Sequence, residues 1–350
     1  MMVSALEGLT QLRILYIGAT GEWSTSGERV RALEKLGHDT IRVNTSEFYH
    51  GTHRIERSAA FRFNIGRPPQ RLNAYLIEVE KTEEFDALWV DRGHWIRPET
   101  LQRLRLKSRL RCAVHFTLDA ELVKNRSPHF VRGMPIYDHL MTTKPFEVDL
   151  YRSLGARNLH LVPQGFSSFA QPTILNMEQR DKYGCDVVFV GHRQPHYAAR
   201  LDAIRELGVR LKVWGSQKWR GYPAYAGATV WGPDYAAALS GAKIALGLIG
   251  KHIPETTTTR TFEIPACGVF MLAERTADAL SFFKEGVEAE FFGSDEEMKD
   301  KVRYYLAHDV ERERIAAAGR LRCEESGYDV EHQMSSVLRW MQSGLGDPVG

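Results

Sequence analysis

Cysteine is scarce in this 350-residue chain, the net charge is only +2, and no apolar run is long. The four cysteines, Cys112, Cys185, Cys267 and Cys323, stand far apart with no C-x-x-C pair, which excludes a disulfide framework and a zinc knuckle and fits a reducing, cytoplasmic setting. The net charge of +2 excludes a nucleic-acid binder that works by bulk charge, and no DNA- or RNA-binding module is visible, so no nucleic-acid partner is expected. The N-terminus lacks the basic start and apolar core of a signal peptide, and no segment reaches the roughly 20 apolar residues that span a bilayer. Any membrane contact is therefore expected to be peripheral.

What remains is ordinary globular composition, 43% hydrophobic and 26% charged, in a chain long enough for two cores. Short apolar runs alternate with helical patterns throughout, which predicts an α/β fold with parallel sheets. Residues 12–17 read as a first strand, followed by the loop GATGEWSTSG, a helix carrying Val30, Leu33 and Leu36, and a strand at 40–43. The loop is an incomplete dinucleotide fingerprint, with Ser24 where a third glycine belongs and Asn44 where an acid for the ribose belongs, so a dehydrogenase is set aside. Residues 50–81 have no clear periodicity. Further strands are expected at 86–90, 112–116, 137–142 and 159–162.

The first two of those strands lead to Asp91 and to Asp119, and Glu22 lies in the first loop. Polar groups at such strand ends face a ligand crevice, so these three carboxylates are the candidates for a base. Arg103, Arg105, Lys107, Arg109 and Arg111 concentrate positive charge with interleaved leucines. Two readings stand, a solvated helix running into a strand, and attraction to an anionic membrane or a phosphate-bearing acceptor.

We expect a first lobe over residues 1–170, a linker at 171–183, a second Rossmann-like lobe over 184–328 and a C-terminal helix at 329–350 that returns toward the first lobe. The second lobe opens with a strand at 186–190. It delivers Gly191, His192 and Arg193 to a helix N-terminus, where Arg200 and free amides would favour a diphosphate; an ordinary glycine turn is the alternative. His192 and His196 are four apart, but Pro195 between them argues against a shared metal face. Trp219 follows the next strand and either stacks a base or packs.

The most informative stretch is 256–272, TTTTRTFEIPACGVFML. A polar loop ending at Thr259 feeds a helix start at which Arg260 and Glu263, three apart, would share a face; Pro265 fits near a helix start, and Gly268 closes the turn before a buried strand. An acid and a base held together at the mouth of a sheet, beside backbone donors, suit a nucleotide.

Taken in order, "DVVFVGH", "RLKVWGSQKW", "AKIALGL", "RTFEIPACGVFML", "FFKEGVEAEFF" and "VRYYLAHDVERERIAAAGR" resemble the two-lobed GT-B glycosyltransferases, and within them the CgeB-like group with a group-1-type domain. The resemblance implies two Rossmann-like lobes facing across a cleft and a nucleotide-diphosphate sugar as co-substrate. It implies that Glu263 holds the ribose hydroxyls and Arg260 the diphosphate, opposite Gly191 with Arg193 or Arg200. Pairing between Arg260 and Glu263 is the alternative for that arginine. No two aspartates stand two apart, so the D-x-D metal motif of the GT-A class is absent and no metal or other cofactor is expected. The acceptor would be a glycan, a lipid-linked molecule or a protein. If the reaction inverts configuration, a base is needed and Asp119 is ranked first; if it retains, none is. A sugar-nucleotide epimerase and a non-catalytic nucleotide-sugar binder are the two competing readings.

Overall fold

The computed structural model describes residues 11–107 and 109–343; the N-terminal residues read above for a signal peptide lie outside them. The chain divides into two compact units, one of residues up to Pro163 together with those from Val330, the other Gln164–Asp329.

In the first unit the strands are β1 (Arg13–Gly18), β2 (Asp39–Asn44), β3 (Ala87–Asp91), β4 (Cys112–Thr117), β5 (His139–Thr142) and β6 (Leu159–Leu161). They pair in parallel in the order β2-β1-β3-β4-β5-β6. Alternate side chains of a strand point to opposite faces, and both faces here are covered, so the strands read as continuous apolar runs. Ile14 and Tyr16 of β1 enter one core and Leu15 and Ile17 the other. Helices α1 (Thr25–Lys35), α2 (Arg54–Phe63), α3 (Arg67–Thr82), α4 (Pro98–Arg105), α5 (Pro128–Gly133) and α6 (Val148–Ser153) connect the strands.

Residues 50–81, which show no clear sequence period, hold α2 and α3. The pair Pro68-Pro69 is what looked irregular, yet proline is tolerated in the first turn of a helix, and that is where it sits in α3. Leu72, Leu76 and Val79 then form that helix's buried stripe.

The first helix of the second unit is α7 (Met177–Tyr183), opened by a reciprocal Asn176–Gln179 capping box, and it occupies the latter half of the residues 171–183 read as a linker. Its strands are β7 (Cys185–Val190), β8 (Leu211–Trp214), β9 (Tyr225–Gly227), β10 (Ala242–Gly247), β11 (Phe270–Glu274) and β12 (Glu290–Phe292), and their order is β12-β11-β10-β7-β8-β9, all parallel. Helices α8 (Pro195–Arg205), α9 (Gly232–Ser240), α10 (Arg260–Ala266), α11 (Ala277–Phe282), α12 (Asp295–Ala307) and α13 (Asp309–Ser326) cover the two faces. The last helix, α14 (Val330–Ser343), belongs to the first unit, where Val330, Met334, Val337, Leu338 and Met341 pack with Leu12, Ile14 and Val30.

In each sheet the strand order reverses once, between β1 and β3 and between β7 and β10. At such a reversal the connections leave to opposite faces and open a crevice beyond the strand ends, the usual ligand position in open α/β sheets.

Candidate functional site

In the second unit Arg260 fills that crevice. Its Nη2 donates to the carbonyl of Leu248 at 2.8 Å, just past β10, and its Nη1 reaches the Val190 carbonyl at the end of β7 at 3.4 Å. The guanidinium also lies 5.5 Å from the centroid of the Phe189 ring. Among the described residues no carboxylate is within ion-pair distance of it, and its buried Nε has no hydrogen-bond partner. The pairing with Glu263 that a shared helical face suggested does not form.

Glu263 instead turns toward α9, where Tyr235 donates its hydroxyl to Oε2 at 2.8 Å. Burial pushes the Glu263 carboxyl above the usual carboxylate range, while hydrogen bonds from Tyr235 and Thr259 and the nearby Arg260 charge pull it back. A buried acid held by partial hydrogen bonding is suited to a ligand hydroxyl, which adds a donor without adding charge. Pro265 sits in the last turn of α10 rather than the first. Gly268, left-handed at φ +67°, closes the far end of that helix beside Pro172 and Arg320. It therefore lies at the opposite end of the strands, roughly 12 Å from Arg260 at 1.5 Å per residue, and is a turn residue rather than a ligand contact.

Gly191 is required for space, not as a donor. Its amide is used by the Trp214 carbonyl at 2.9 Å, and its own carbonyl accepts from the Trp219 indole at 2.8 Å. A Cβ there would meet Phe189 Cζ at 2.8 Å and Arg260 Nη1 at 3.2 Å. Trp219 is fully buried, so it packs and offers no face for a base. His192 and Arg193 are exposed in the loop before α8, with Arg193 over the Trp219 ring at 5.7 Å. His196, by contrast, is engaged with the Ile249 carbonyl at 2.9 Å.

Arg200 is taken up by two carboxylates. It meets Glu274 Oε1 at 2.5 Å and Asp295 Oδ1 at 3.2 Å. Glu274 also accepts from the Ile249 amide and from Lys251 Nζ, at 2.8 and 2.6 Å. Burial alone would raise this carboxyl, but those donors together hold it below its ordinary value. Glu274, at the end of β11, carries no signal in a sequence that reads β11 as an apolar run.

In the first unit a cavity of about 250 Å³ opens at the strand reversal, lined by Ser24, Ser26, Thr45, Asp91, Arg92 and Asp119 among others. Ser24, where a fingerprint glycine was absent, caps α1 by accepting from the Gly27 amide at 3.0 Å. Asp91 is buried and saturated. Arg29 donates to Oδ2 at 2.7 Å, Tyr16 to the same oxygen at 2.5 Å, and Trp89 to Oδ1 at 3.2 Å. With its lone pairs so occupied it is a poor candidate base. Glu22 is exposed in the β1–α1 loop and outside the cavity lining. Asp119 lines the cavity with its side chain half exposed and pairs with Arg92 at 3.1 Å.

Glu121, which sequence reasoning passed over, is fully buried beneath this corner. It accepts from Thr117 at 3.2 Å and lies 3.6 Å from Arg92 Nε. Burial pushes its carboxyl up to about 8, with Arg92 opposing and Asp119 adding. Arg92 itself is left-handed, at φ +67°. Among the described residues no three His, Cys, Asp or Glu side chains gather as a metal-ligand set.

Residues 193–339 match the family model described as Glycosyl transferase-like. No curated protein sequence matches the chain. The fold is similar to that of HepE from Anabaena, solved in complex with UDP-glucose, at 10% identity and TM-score 0.61 over 96% of this chain and 100% of that one. It is similar to a sucrose-phosphate synthase from Thermosynechococcus elongatus, at 13% identity and TM-score 0.65 over 95% and 100%. A UDP-N-acetylglucosamine 2-epimerase is also similar, at 11% identity and TM-score 0.57 over 97% and 98%. The fold class is thus the α/β GT-B type, with two Rossmann-like units.

Proposed function

We propose that this chain transfers a sugar from a nucleotide-diphosphate sugar to an acceptor hydroxyl without a metal ion, holding the donor in the 164–329 unit and the acceptor in the other. The observation that carries the reading is Arg260, a guanidinium fixed on two strand-end carbonyls at the β7/β10 reversal with no carboxylate partner among the described residues. Departure of a nucleoside diphosphate leaves negative charge on its terminal phosphate, and a pre-positioned cation there stabilises the charge as it develops. Arg193 and the N-terminus of α8 would add to that field. Glu263 would accept from the ribose hydroxyls, and the family match spans the segment that supplies these groups.

Of the three carboxylates weighed as base, Asp119 fits best, because it lines the first unit's cavity and keeps an exposed face. The CgeB-like subtype and a hexose as the transferred sugar belong to this proposal as well. Similarity to an epimerase supports a second reading, conversion of the donor with no acceptor.

A thermal-shift screen against UDP, GDP, dTDP, CDP and ADP and their sugars tests the donor site. A ligand at a hundred times its Kd should stabilise the protein by about 2.7 kcal/mol. Glu263→Gln should reduce that shift. Turnover in excess EDTA should persist, and it should require an acceptor; turnover without one would favour the epimerase, and a blank screen would overturn the donor site.

A further inference from the structure

Sequence alone directs attention to 103–111 as the basic surface, but the structure neutralises its first half. Arg103 pairs with Glu80, Arg105 with Asp138 and Lys107 with Glu84. A different stretch, 53–71, carries charge that is not compensated. Arg54, Arg57 and Arg71 are all exposed, and none forms an ion pair among the described residues. Arg57 and Arg71 bond only to neutral oxygens, of Thr52 and His50. The local acid, Glu56, is already taken by Arg67.

The same stretch exposes Ile55 at 81%, Phe63 at 66% and Ile65 at 59%. Their exposure has a structural cause: the backbone between the last two is fixed from beneath. Asn64 is left-handed at φ +56° and buried, with its amide donating to Ser127 Oγ at 3.0 Å. With Asn64 turned inward, Phe63 and Ile65 on either side are left in solvent. The inner side of α2 is equally anchored, since the Trp95 indole donates to the Ala60 carbonyl at 3.0 Å. Trp95 lines the first unit's cavity, so the exposed surface and the cavity wall are two sides of one packed layer.

We propose that this surface, built from α2, the turn after it and the start of α3, docks on an anionic lipid bilayer, Ile55, Phe63 and Ile65 entering the headgroup boundary while Arg54, Arg57 and Arg71 meet lipid phosphates. Apolar side chains flanked by arginines have the composition of an interfacial helix, and each basic residue near an anionic surface contributes about 1 kcal/mol, roughly fivefold in affinity. An aqueous protein partner would need acidic groups to match; the bilayer supplies both the apolar layer and the negative charge. No helix among the described residues is long and apolar enough to cross a membrane, so the contact is peripheral. The inference stands apart from the donor-site reading.

The test is co-sedimentation of the full chain with vesicles of phosphatidylcholine alone and with about one third phosphatidylglycerol. Binding is expected to the anionic vesicles only and should weaken as NaCl rises, because dissolved ions screen the lipid charge beyond about 10 Å at 0.1 M. Arg54→Ala with Arg57→Ala should cost about 25-fold in partitioning, by the fivefold step per arginine. Ile55→Ser with Phe63→Ser should abolish it, with both double variants unfolding at the wild-type temperature. Absence of binding to anionic vesicles, equal binding to neutral ones, or undiminished binding by either variant would overturn the proposal. So would light scattering showing a wild-type dimer that the Ile55/Phe63 variant loses, since the surface would then be covered by a second copy.

Discussion

Tyr235 and Glu263 are joined by a 2.8 Å hydrogen bond between two buried side chains of different helices, and this bond decides the state in which the acid meets a ligand. Tyr235→Phe removes a donor from a carboxylate that burial already disfavours. Stability should fall by about 1–3 kcal/mol near pH 8 in urea unfolding. The sign with pH is fixed by linkage: the folded acid binds its proton more tightly than the unfolded one, so its penalty is absent at low pH and grows as pH rises through the folded value. The gap between variant and wild type should therefore shrink toward pH 4.

Arg193 and Arg200 look alike in sequence but should behave oppositely. Arg193→Ala removes an exposed cation and should weaken nucleoside diphosphate binding by roughly 10- to 100-fold, the range of a charged hydrogen bond, with the unfolding transition unmoved. Arg200→Ala unpairs Glu274 in part and should lower stability by about 1–3 kcal/mol with diphosphate affinity retained in calorimetry.

Asp91→Asn should be a folding variant rather than a catalytic one. Arg29 and Asp91 are both buried, and removing one charge leaves the other without compensation, at a cost of about 3–5 kcal/mol in denaturant unfolding. Stability close to wild type combined with lost turnover would instead return Asp91 to the list of bases.

Glu121 gives the first unit a specific pH response. With its folded value raised to about 8 by burial, its contribution to stability is full below the ordinary carboxylate range, declines as pH rises from there, and is lost above about 8. Burial holds His94 and His115 neutral, down to about 3 and about 4, and these act the other way, losing stability as pH falls below the ordinary histidine range. Glu121→Gln imitates the protonated acid. It should match wild type near pH 5 and exceed it by a few kcal/mol at pH 8.5, isolating the carboxyl from the histidines.

Most of the parallel sheet framework was legible because buried strands are short apolar runs: β1, β3, β4 and β7 all fall where such runs predict them. The helices α2 and α3 were not, since α2 turns apolar side chains outward and α3 starts on two prolines. Within the candidate site the residue types were readable and their directions were not. Arg260 and Glu263 are three apart on one short helix, yet one reaches the sheet and the other a neighbouring helix, because strand-end carbonyls and Tyr235 are the partners that folding supplies. Glu274 and Glu121 were invisible for a related reason: a lone acid in or beside a strand has no period, and only the fold shows what surrounds it.

The return of α14 to the first unit has a consequence for biosynthesis. The segment 164–329 is continuous and can complete its core as it leaves the ribosome, whereas the earlier segment lacks Met334, Val337 and Leu338, which cover β1, until translation has passed α14. Of the two units, the one started earlier is thus completed later. Until then it exposes the apolar face of Leu12, Ile14 and Val30, the surface a chaperone acting during synthesis would meet.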